Sequence, residues 1–236
     1  MRGCRKRRSL WLAGVMAAAP FAPVRAQEAP SPVWALEGET GVVSDYRYRG
    51  ASLSDEASAW QAGLTVSRPG GLYGDLHVST IAAYGGTEDE DGAHIEAALT
   101  LGWAGSLGDF AVDAAVATYQ YPGGVDVAYA EIPVQIGQTR GPLTWTLGAA
   151  WAPAGQTALG NRDNRYVWGG LDLAHAAWPI TLHGALGFED GAYAPDGKTD
   201  WRVGMTAPLG SIDLGLDYVD SDVATGALVV RLFIGF

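Results

Sequence analysis

Cysteine is almost absent from the 236-residue chain, which contains only Cys4. Cys4 lies before the apolar run of the N-terminal segment, so it is not placed as a lipoprotein acceptor. That segment has the form of a cleavable leader. The mature chain therefore has no cysteine, and disulfides and thiol chemistry are excluded.

The leader has the three parts of a secretory signal peptide. An apolar run from Leu10 to about Val24 ends in Val24-Arg25-Ala26, with short residues at the two positions that signal peptidase reads. The run follows a basic start formed by Arg2, Arg5, Lys6, Arg7 and Arg8. Residues 1–26 are predicted to be removed, and residues 27–34 to form a short periplasmic segment. An uncleaved anchor is the alternative, but Pro20 and Pro23 interrupt a run already short for a membrane span.

Basic residues are scarce in the rest of the chain. Six of the 15 Lys and Arg residues lie in the leader with none of the 26 acids, which leaves 9 bases against 26 acids and a formal net charge of −17. Nucleic-acid binding requires a basic surface, so it is excluded as a function.

Long apolar runs are also missing after the leader, which excludes a helical membrane protein. The chain instead has 33 Gly, 9 Trp and 10 Tyr, with only 17% charged residues. Gly is unfavourable inside helices, whereas Val, Thr, Tyr and Trp favour strands. The composition predicts an all-β protein.

Apolar and polar residues alternate with a period of two along the whole mature chain, as in Trp60, Ala62, Leu64 and Val66. We count about twelve such segments of roughly ten residues, the length of a tilted membrane-spanning strand. Short turns alternate with longer, more charged connections, as in outer-membrane proteins. The pattern predicts that residues 35–236 form a transmembrane antiparallel β-barrel of about 12 strands with periplasmic termini. One segment, near residues 165–174, changes phase, which suggests a β-bulge at Gly169-Gly170.

Aromatic residues of the apolar phase lie at the ends of these segments, and aliphatic residues lie between them. Two girdles around an aliphatic band are typical of a lipid-facing surface, whereas the core of a soluble sandwich has no reason to exclude aromatics from its midline. The predicted girdle residues are Trp34, Trp103, Phe110, Trp145 and Phe236 at the short turns, and Tyr46, Tyr48, Trp60, Tyr84, Trp151, Phe188, Trp201 and Tyr218 at the long loops. The strand at residues 37–49 is expected to pair with the last strand, because unpaired edges are not tolerated in lipid.

The stretches "GVVSDYRYRGASLSD", "GLYGDLHVS" and "YPGG" resemble the TorF family of outer-membrane porins. The likeness extends over nearly the whole mature chain, and it implies a barrel of the porin type without implying a solute. The terminal Phe236, after alternating Val230, Leu232 and Ile234, looks like the signal that the barrel-assembly machinery recognises.

The leading functional hypothesis is a channel in the outer membrane of a Gram-negative bacterium for passive diffusion of small hydrophilic solutes. Outer-membrane lipid and lipopolysaccharide are its expected surroundings. Carboxylates outnumber arginines in the predicted interior, which favours cations. The residues predicted to line the pore are Asp45, Arg47, Arg49, Asp75, His77, Glu96, Asp113, Glu131, Arg202, Asp213 and Asp217.

Two other functions are compatible with the sequence. A structural or adhesive barrel would have no through-path, and the acidic loop at residues 85–92 is interpreted as solvated rather than metal-binding. A lipid hydrolase would need a serine and a histidine in contact. His77 and Ser79 share a face, but that face is the predicted interior, and His94 and His183 are isolated. We therefore expect no catalytic residue, cofactor or bound metal.

Overall fold

The computed structural model describes residues 34–88 and 91–236. The predicted leader (residues 1–26), most of the predicted periplasmic segment and part of the acidic loop at residues 85–92 lie outside the described residues. The described chain forms strands β1 (Ala35–Val43), β2 (Arg47–Tyr48), β3 (Ala51–Ser52), β4 (Ala59–Ser67), β5 (Leu72–Tyr84), β6 (Ala93–Leu107), β7 (Phe110–Gln120), β8 (Tyr129–Arg140), β9 (Leu143–Ala152), β10 (Asn164–Ala174), β11 (Thr181–Gly191), β12 (Lys198–Leu209), β13 (Ile212–Ser221) and β14 (Ala227–Gly235). None of the described residues forms a helix with the length and hydropathy that crossing a membrane requires.

Twelve of these strands, β1 and β4 to β14, form one closed barrel in which neighbours in sequence are antiparallel neighbours in space. The barrel closes between β1 and β14, where Val42 lies opposite Leu232 and Thr40 opposite Ile234. The prediction of an all-β, closed, twelve-strand antiparallel barrel is therefore confirmed.

The two faces of the barrel wall differ as the alternation predicts. Leu76, Leu147 and Val167 point outward and are 43%, 56% and 51% exposed, whereas Glu131 on the inner face is 1% exposed. Most predicted girdle residues also lie on the outside: the exposed ones are Trp34, Trp60, Tyr84, Trp103, Phe110, Trp151, Phe188, Tyr218 and Phe236. The wall is thus apolar outside and polar inside.

The connections fall into two classes, one at each end of the barrel. Residues 108–109, 141–142 and 210–211 form the tightest turns of one end, which we call the short-turn end. The other end, the long-loop end, carries residues 44–58, 85–92, 121–128, 153–163, 192–197 and 222–226. Both described chain ends lie at the short-turn end.

The first strand is shorter than predicted, and two girdle assignments are wrong. Strand β1 ends at Val43, and residues 44–58 turn into the barrel instead of continuing along the wall. Tyr46 consequently points inward, is 5% exposed, and donates a hydrogen bond to Glu96 at 2.7 Å. Tyr48 also lies inside, where its hydroxyl is 3.3 Å from Glu131. Neither tyrosine belongs to the outer girdle.

The predicted bulge in the strand near residues 165–174 is also wrong. Strand β10 pairs without a register shift with both neighbours, from Asn164 to Leu173. Trp168 and Tyr166 belong to the interior phase, and the indole of Trp168 is 8% exposed. The apparent change of phase arises because this strand carries aromatic residues on its inner face. A register shift occurs instead between Thr80 and Tyr84 of β5.

Candidate functional site: the barrel interior

Residues 44–58 contain a small hairpin inside the barrel, formed by β2 and β3, which we call the inward hairpin. Its turn is Arg49-Gly50, with φ angles of 48° and 83°. A two-residue hairpin turn of type I′ requires positive φ at both central residues, which glycine adopts without strain. Arg49 therefore projects from the tip of a tight, defined turn.

The base of the inward hairpin is fixed by a buried charged network. Asp45 accepts hydrogen bonds from Arg47 Nε and from the Ser52 hydroxyl, both at 2.6 Å. Arg47 also donates to the carbonyl oxygens of Gly50 at 3.1 Å and Thr225 at 2.6 Å, which ties the hairpin to the β13–β14 loop. Because Asp45 and Arg47 pair with each other, neither leaves a free charge.

The tip of the hairpin crosses the interior and joins two separate parts of the wall. Arg49 Nη2 donates to Glu131 on β8 at 2.7 Å, and Arg49 Nη1 donates to Glu189 on β11 at 2.7 Å. The guanidinium carbon lies 4.7 Å from the ring centre of Tyr48 and 4.3 Å from that of Tyr166. Arg49, Glu131 and Glu189 are 3%, 1% and 2% exposed. Water therefore has almost no access to these three charged side chains.

The electrostatic surroundings keep Arg49 charged. Burial on its own lowers the pKa of this guanidinium, but the charge of Glu131, followed by Tyr48 and Glu189, raises the pKa well above its ordinary value. Two carboxylates around one guanidinium would leave a negative charge, and Lys198 offsets it by contacting Glu189 at 2.5 Å. The hairpin tip thus enters a charge-balanced site.

Tyrosines surround the hairpin tip. Tyr119 and Tyr129 stack with ring centres 4.6 Å apart, and Tyr193 contacts Tyr129 edge-on at 5.2 Å. Two long loops add to this packing with Leu159 and Ala194, which are 6% and 4% exposed. The inward hairpin and these loops therefore pack together inside the barrel at its long-loop end.

A second charged network lies on the inner faces of β11, β13 and β14. Asp217 accepts a hydrogen bond from Arg231 Nε at 2.6 Å and also contacts the ring of His183. Gly204 makes this contact geometrically feasible, because a Cβ there would overlap both Asp217 and His183. Glycine on the inner face therefore lets long side chains lie flat across the wall.

The interior is more open toward the short-turn end. Glu39, Asp75 and Asp213 are only partly buried there. Asp75 accepts a hydrogen bond from the Thr65 hydroxyl at 2.7 Å, and Asp113 accepts one from Tyr73 at 3.1 Å. In the described part of the chain, hydroxyl groups rather than bases hydrogen-bond these two carboxylates, and neither carboxylate forms a salt bridge there.

All eleven residues predicted to line a pore lie inside the barrel, although their part in conduction stays a prediction. Asp45, Arg47 and Arg49 lie on residues 44–58, not on a wall strand as expected. The wall strands carry Asp75, His77, Glu96, Asp113, Glu131, Arg202, Asp213 and Asp217. Of these residues, Arg49 at the hairpin tip contacts Glu131, whereas Asp217 belongs to the separate network with Arg231 and His183.

The requirements of a hydrolase are poorly met. The Nε2 atom of His77 is 3.1 Å from the Ser79 hydroxyl, but Ser79 is 1% exposed and also accepts a hydrogen bond from Gln61 at 2.9 Å. Within residues 34–88 and 91–236, no carboxylate hydrogen-bonds the His77 ring, and no group of three His, Cys, Asp or Glu side chains could hold a metal ion. A buried serine without access for a lipid ester is a structural hydrogen-bonding group.

Several members of the Arg49 site were not identified from the sequence. The sequence predicts Tyr48 on the outer surface, among the girdle residues. The sequence does not indicate that Glu189 and Lys198 belong to the Arg49 site, because they lie 140 and 149 positions from Arg49. The one local signal is the Arg-Gly pair, which is compatible with a tight turn.

A protein-family profile described as "Bacterial protein of unknown function (Gcw_chp)" matches residues 26–232. The description carries no porin name, so the resemblance to the TorF family stays a prediction. No curated protein matches the chain.

Solved porin structures have the same fold. The structure titled "KdgM porin" is 6% identical, with a TM-score of 0.58 over 86% of this chain and 98% of that one. A structure titled "KdgM porin in complex with disordered oligogalacturonate" is 7% identical, with a TM-score of 0.55 over 85% and 96%. A structure of the NanC porin is 12% identical, with a TM-score of 0.54 over 86% and 99%. At these identities the likeness shows the fold alone.

Proposed function

The chain belongs to the Gcw_chp family of bacterial proteins of unknown function, and we propose that it is an outer-membrane porin-like channel for passive diffusion of small hydrophilic solutes. The observation that carries this proposal is the closed twelve-strand barrel with an apolar outer face and a charged inner face. A barrel that served only as a membrane anchor could fill its interior with apolar side chains. The porin structures of the same fold add support.

The outer surface supports an outer-membrane location. Its aliphatic band and aromatic girdles match the hydrocarbon and interfacial regions of a bilayer. Lipid and lipopolysaccharide are the proposed surroundings, and Phe236 the proposed signal for the barrel-assembly machinery. Phe236 directly follows β14 and has an exposed ring, and its backbone exchanges hydrogen bonds with Gly38 at 2.8 and 2.9 Å.

We propose that the structure corresponds to a closed state of the channel. Arg49, Glu131 and Glu189 are at most 3% exposed at the hairpin tip, whereas carboxylates nearer the short-turn end are partly exposed. Diffusion through the barrel therefore requires the inward hairpin to move away from Glu131 and Glu189. Loop segments that order and release around charged contacts are a common means of switching.

We further propose that the channel favours cations. Three arginines of the interior form ion pairs with acids: Arg47 with Asp45, Arg49 with Glu131, and Arg231 with Asp217. Asp75 and Asp113 are hydrogen-bonded by hydroxyl groups, and carboxylate-lined pores attract cations. Low-dielectric walls focus this field along the interior.

The experiment that tests the proposal removes the inward hairpin. Val43 and Ala59 face each other in the ladder between β1 and β4, so an Asn-Gly turn can replace residues 44–58. Liposomes containing this variant should swell in small sugars faster than liposomes containing the wild-type protein. If both proteins fold and insert, and neither raises swelling above that of protein-free liposomes, the barrel has no through-path and its function is structural.

A further inference from the structure

The surroundings of Arg49 are those of a ligand site for a guanidinium ion. Two carboxylates, Glu131 and Glu189, accept its terminal nitrogens at 2.7 Å each, and two aromatic rings, Tyr48 and Tyr166, lie within 5 Å of its carbon. Carboxylates bind guanidinium through charge-assisted hydrogen bonds, and aromatic faces attract cations. We call these four side chains the guanidinium cage.

Most of the cage belongs to the barrel wall and does not depend on the hairpin. Glu131 lies on β8, Tyr166 on β10 and Glu189 on β11, and only Tyr48 comes from the hairpin. When the hairpin moves away, three of the four cage members therefore stay with the rigid sheet.

Other wall residues hold the cage side chains in place. Glu131 accepts a hydrogen bond from the Tyr119 hydroxyl at 2.8 Å, and Glu189 accepts one from Asn164 Nδ2 at 2.8 Å. Tyr166 donates to Asp200 at 3.1 Å, and its ring lies over Gly187, where a Cβ would be 2.1 Å from its hydroxyl oxygen. A site supported in this way is preorganised before any ligand enters.

The charge of the cage demands a cation. Without Arg49, two buried carboxylates face one Lys198 ammonium, which leaves one negative charge uncompensated in a site of low water access. An unpaired buried charge is strongly unfavourable. Within the described residues, Arg49 itself fits the cage incompletely, because its buried Nε has no hydrogen-bond partner.

From this geometry we infer that the guanidinium cage is a solute-binding site, that Arg49 occupies it in the closed state, and that solutes carrying a guanidinium group are the class that displaces Arg49. This inference rests on the proposed channel function for its physiological meaning. The binding step itself does not require conduction.

The test measures binding in detergent by the temperature at which the folded barrel converts to the unfolded form on a gel. Arg49→Ala should lower that temperature, and guanidinium chloride at low millimolar concentration should recover most of the loss in a saturable manner. Sodium chloride at equal ionic strength and urea, which is uncharged and has nearly the same shape, should not. A Glu131→Gln substitution added to Arg49→Ala should abolish the recovery.

Arg162→Ala is the matched control, because Arg162 also pairs with a carboxylate, Asp190 at 3.3 Å, but is half-exposed in a loop. Guanidinium should have no specific effect on it. If Arg49→Ala does not fold, Arg49→Lys replaces it, since one ammonium cannot span both carboxylates as the planar fork does. Guanidinium that acts no better than sodium, or equally on Arg162→Ala, would overturn the inference. Because no conductance is measured, this result is separate from the outcome of the swelling experiment.

Discussion

The assignment of lipid-facing and interior residues can be tested by placing the same charged side chain on adjacent residues of one strand. Leu76 and His77 are neighbours on β5 and lie on opposite faces: Leu76 is 43% exposed on the outside, whereas His77 is half-buried inside. Leu76 lies four residues from Leu72, the first residue of the strand. With a rise of about 3.4 Å per residue and a tilt of about 40°, it is roughly 10 Å from the edge of the apolar band, near the middle of a band about 25 Å tall.

The expected energies follow from these positions. Arginine at the midplane of a lipid-facing strand costs about 2–4 kcal/mol, so Leu76→Arg should destabilise the barrel by that amount. His77→Arg loses a neutral hydrogen bond to Ser79, worth about 1 kcal/mol, and gains proximity to the acidic interior, including Glu39 beside Gly63. We expect its net cost to be below about 1 kcal/mol.

The assay is urea-induced unfolding in phospholipid vesicles, followed by tryptophan fluorescence. The two variants carry the same added group one residue apart on the same strand, so differences in depth and strand propensity largely cancel. Equal costs at the two positions would refute the inside and outside assignment. A larger cost at His77 would show that the interior is too tightly packed for the charge reasoning to apply.

The packing of the inner face, the pairing of β1 with β14 and the charge of the interior can each be tested separately. Gly187→Ala should destabilise the barrel by about 1–3 kcal/mol, because the added Cβ would displace Tyr166. Gly184→Ala, on the outer face of the same strand, should be nearly neutral, because its Cβ would meet only a carbonyl oxygen at 3.6 Å. Thermal unfolding of the two variants in detergent measures the difference. Cysteines that replace Val42 and Leu232 should form a disulfide upon oxidation, because the two residues lie opposite each other. The oxidised chain should then migrate faster on a gel after boiling. If the register is correct, moving the second cysteine four residues along β14 should prevent the cross-link. Reversal potentials across a KCl gradient should indicate potassium preference in the variant without the inward hairpin, and a chloride preference would contradict the charge argument.

The barrel itself could be predicted from sequence because a membrane wall repeats one physical rule. Each strand has a lipid face and an interior face, so a period of two identifies strands, faces and, through the aromatic residues, the two ends. The same rule could not reveal the inward hairpin. Its short strands also alternate, and residues 44–49 continue the pattern of β1 without a break.

The contacts inside the barrel could not be predicted from the sequence, for a different reason. Arg49 meets Glu131 and Glu189 across 82 and 140 positions of sequence, and local patterns contain no information on such pairs. The sequence also places Gly148 inside the barrel, but it cannot show that the indole of Trp168 lies over it, where an added Cβ would be 2.3 Å away. Trp168 shows that an aromatic residue in a strand can face either the lipid or the interior, so its type alone does not identify the face.

The most direct test of the account is a planar-bilayer recording of the wild-type protein beside Arg49→Ala, with Arg162→Ala as the control. Arg49 holds the inward hairpin against the wall through two buried ion pairs, and Arg162 makes only an exposed one. We predict rare, small conductance steps for the wild-type protein and for Arg162→Ala, and frequent, larger steps for Arg49→Ala. A folded, inserted Arg49→Ala barrel that never conducts above the baseline would contradict the claim that this barrel is a channel closed by its own hairpin.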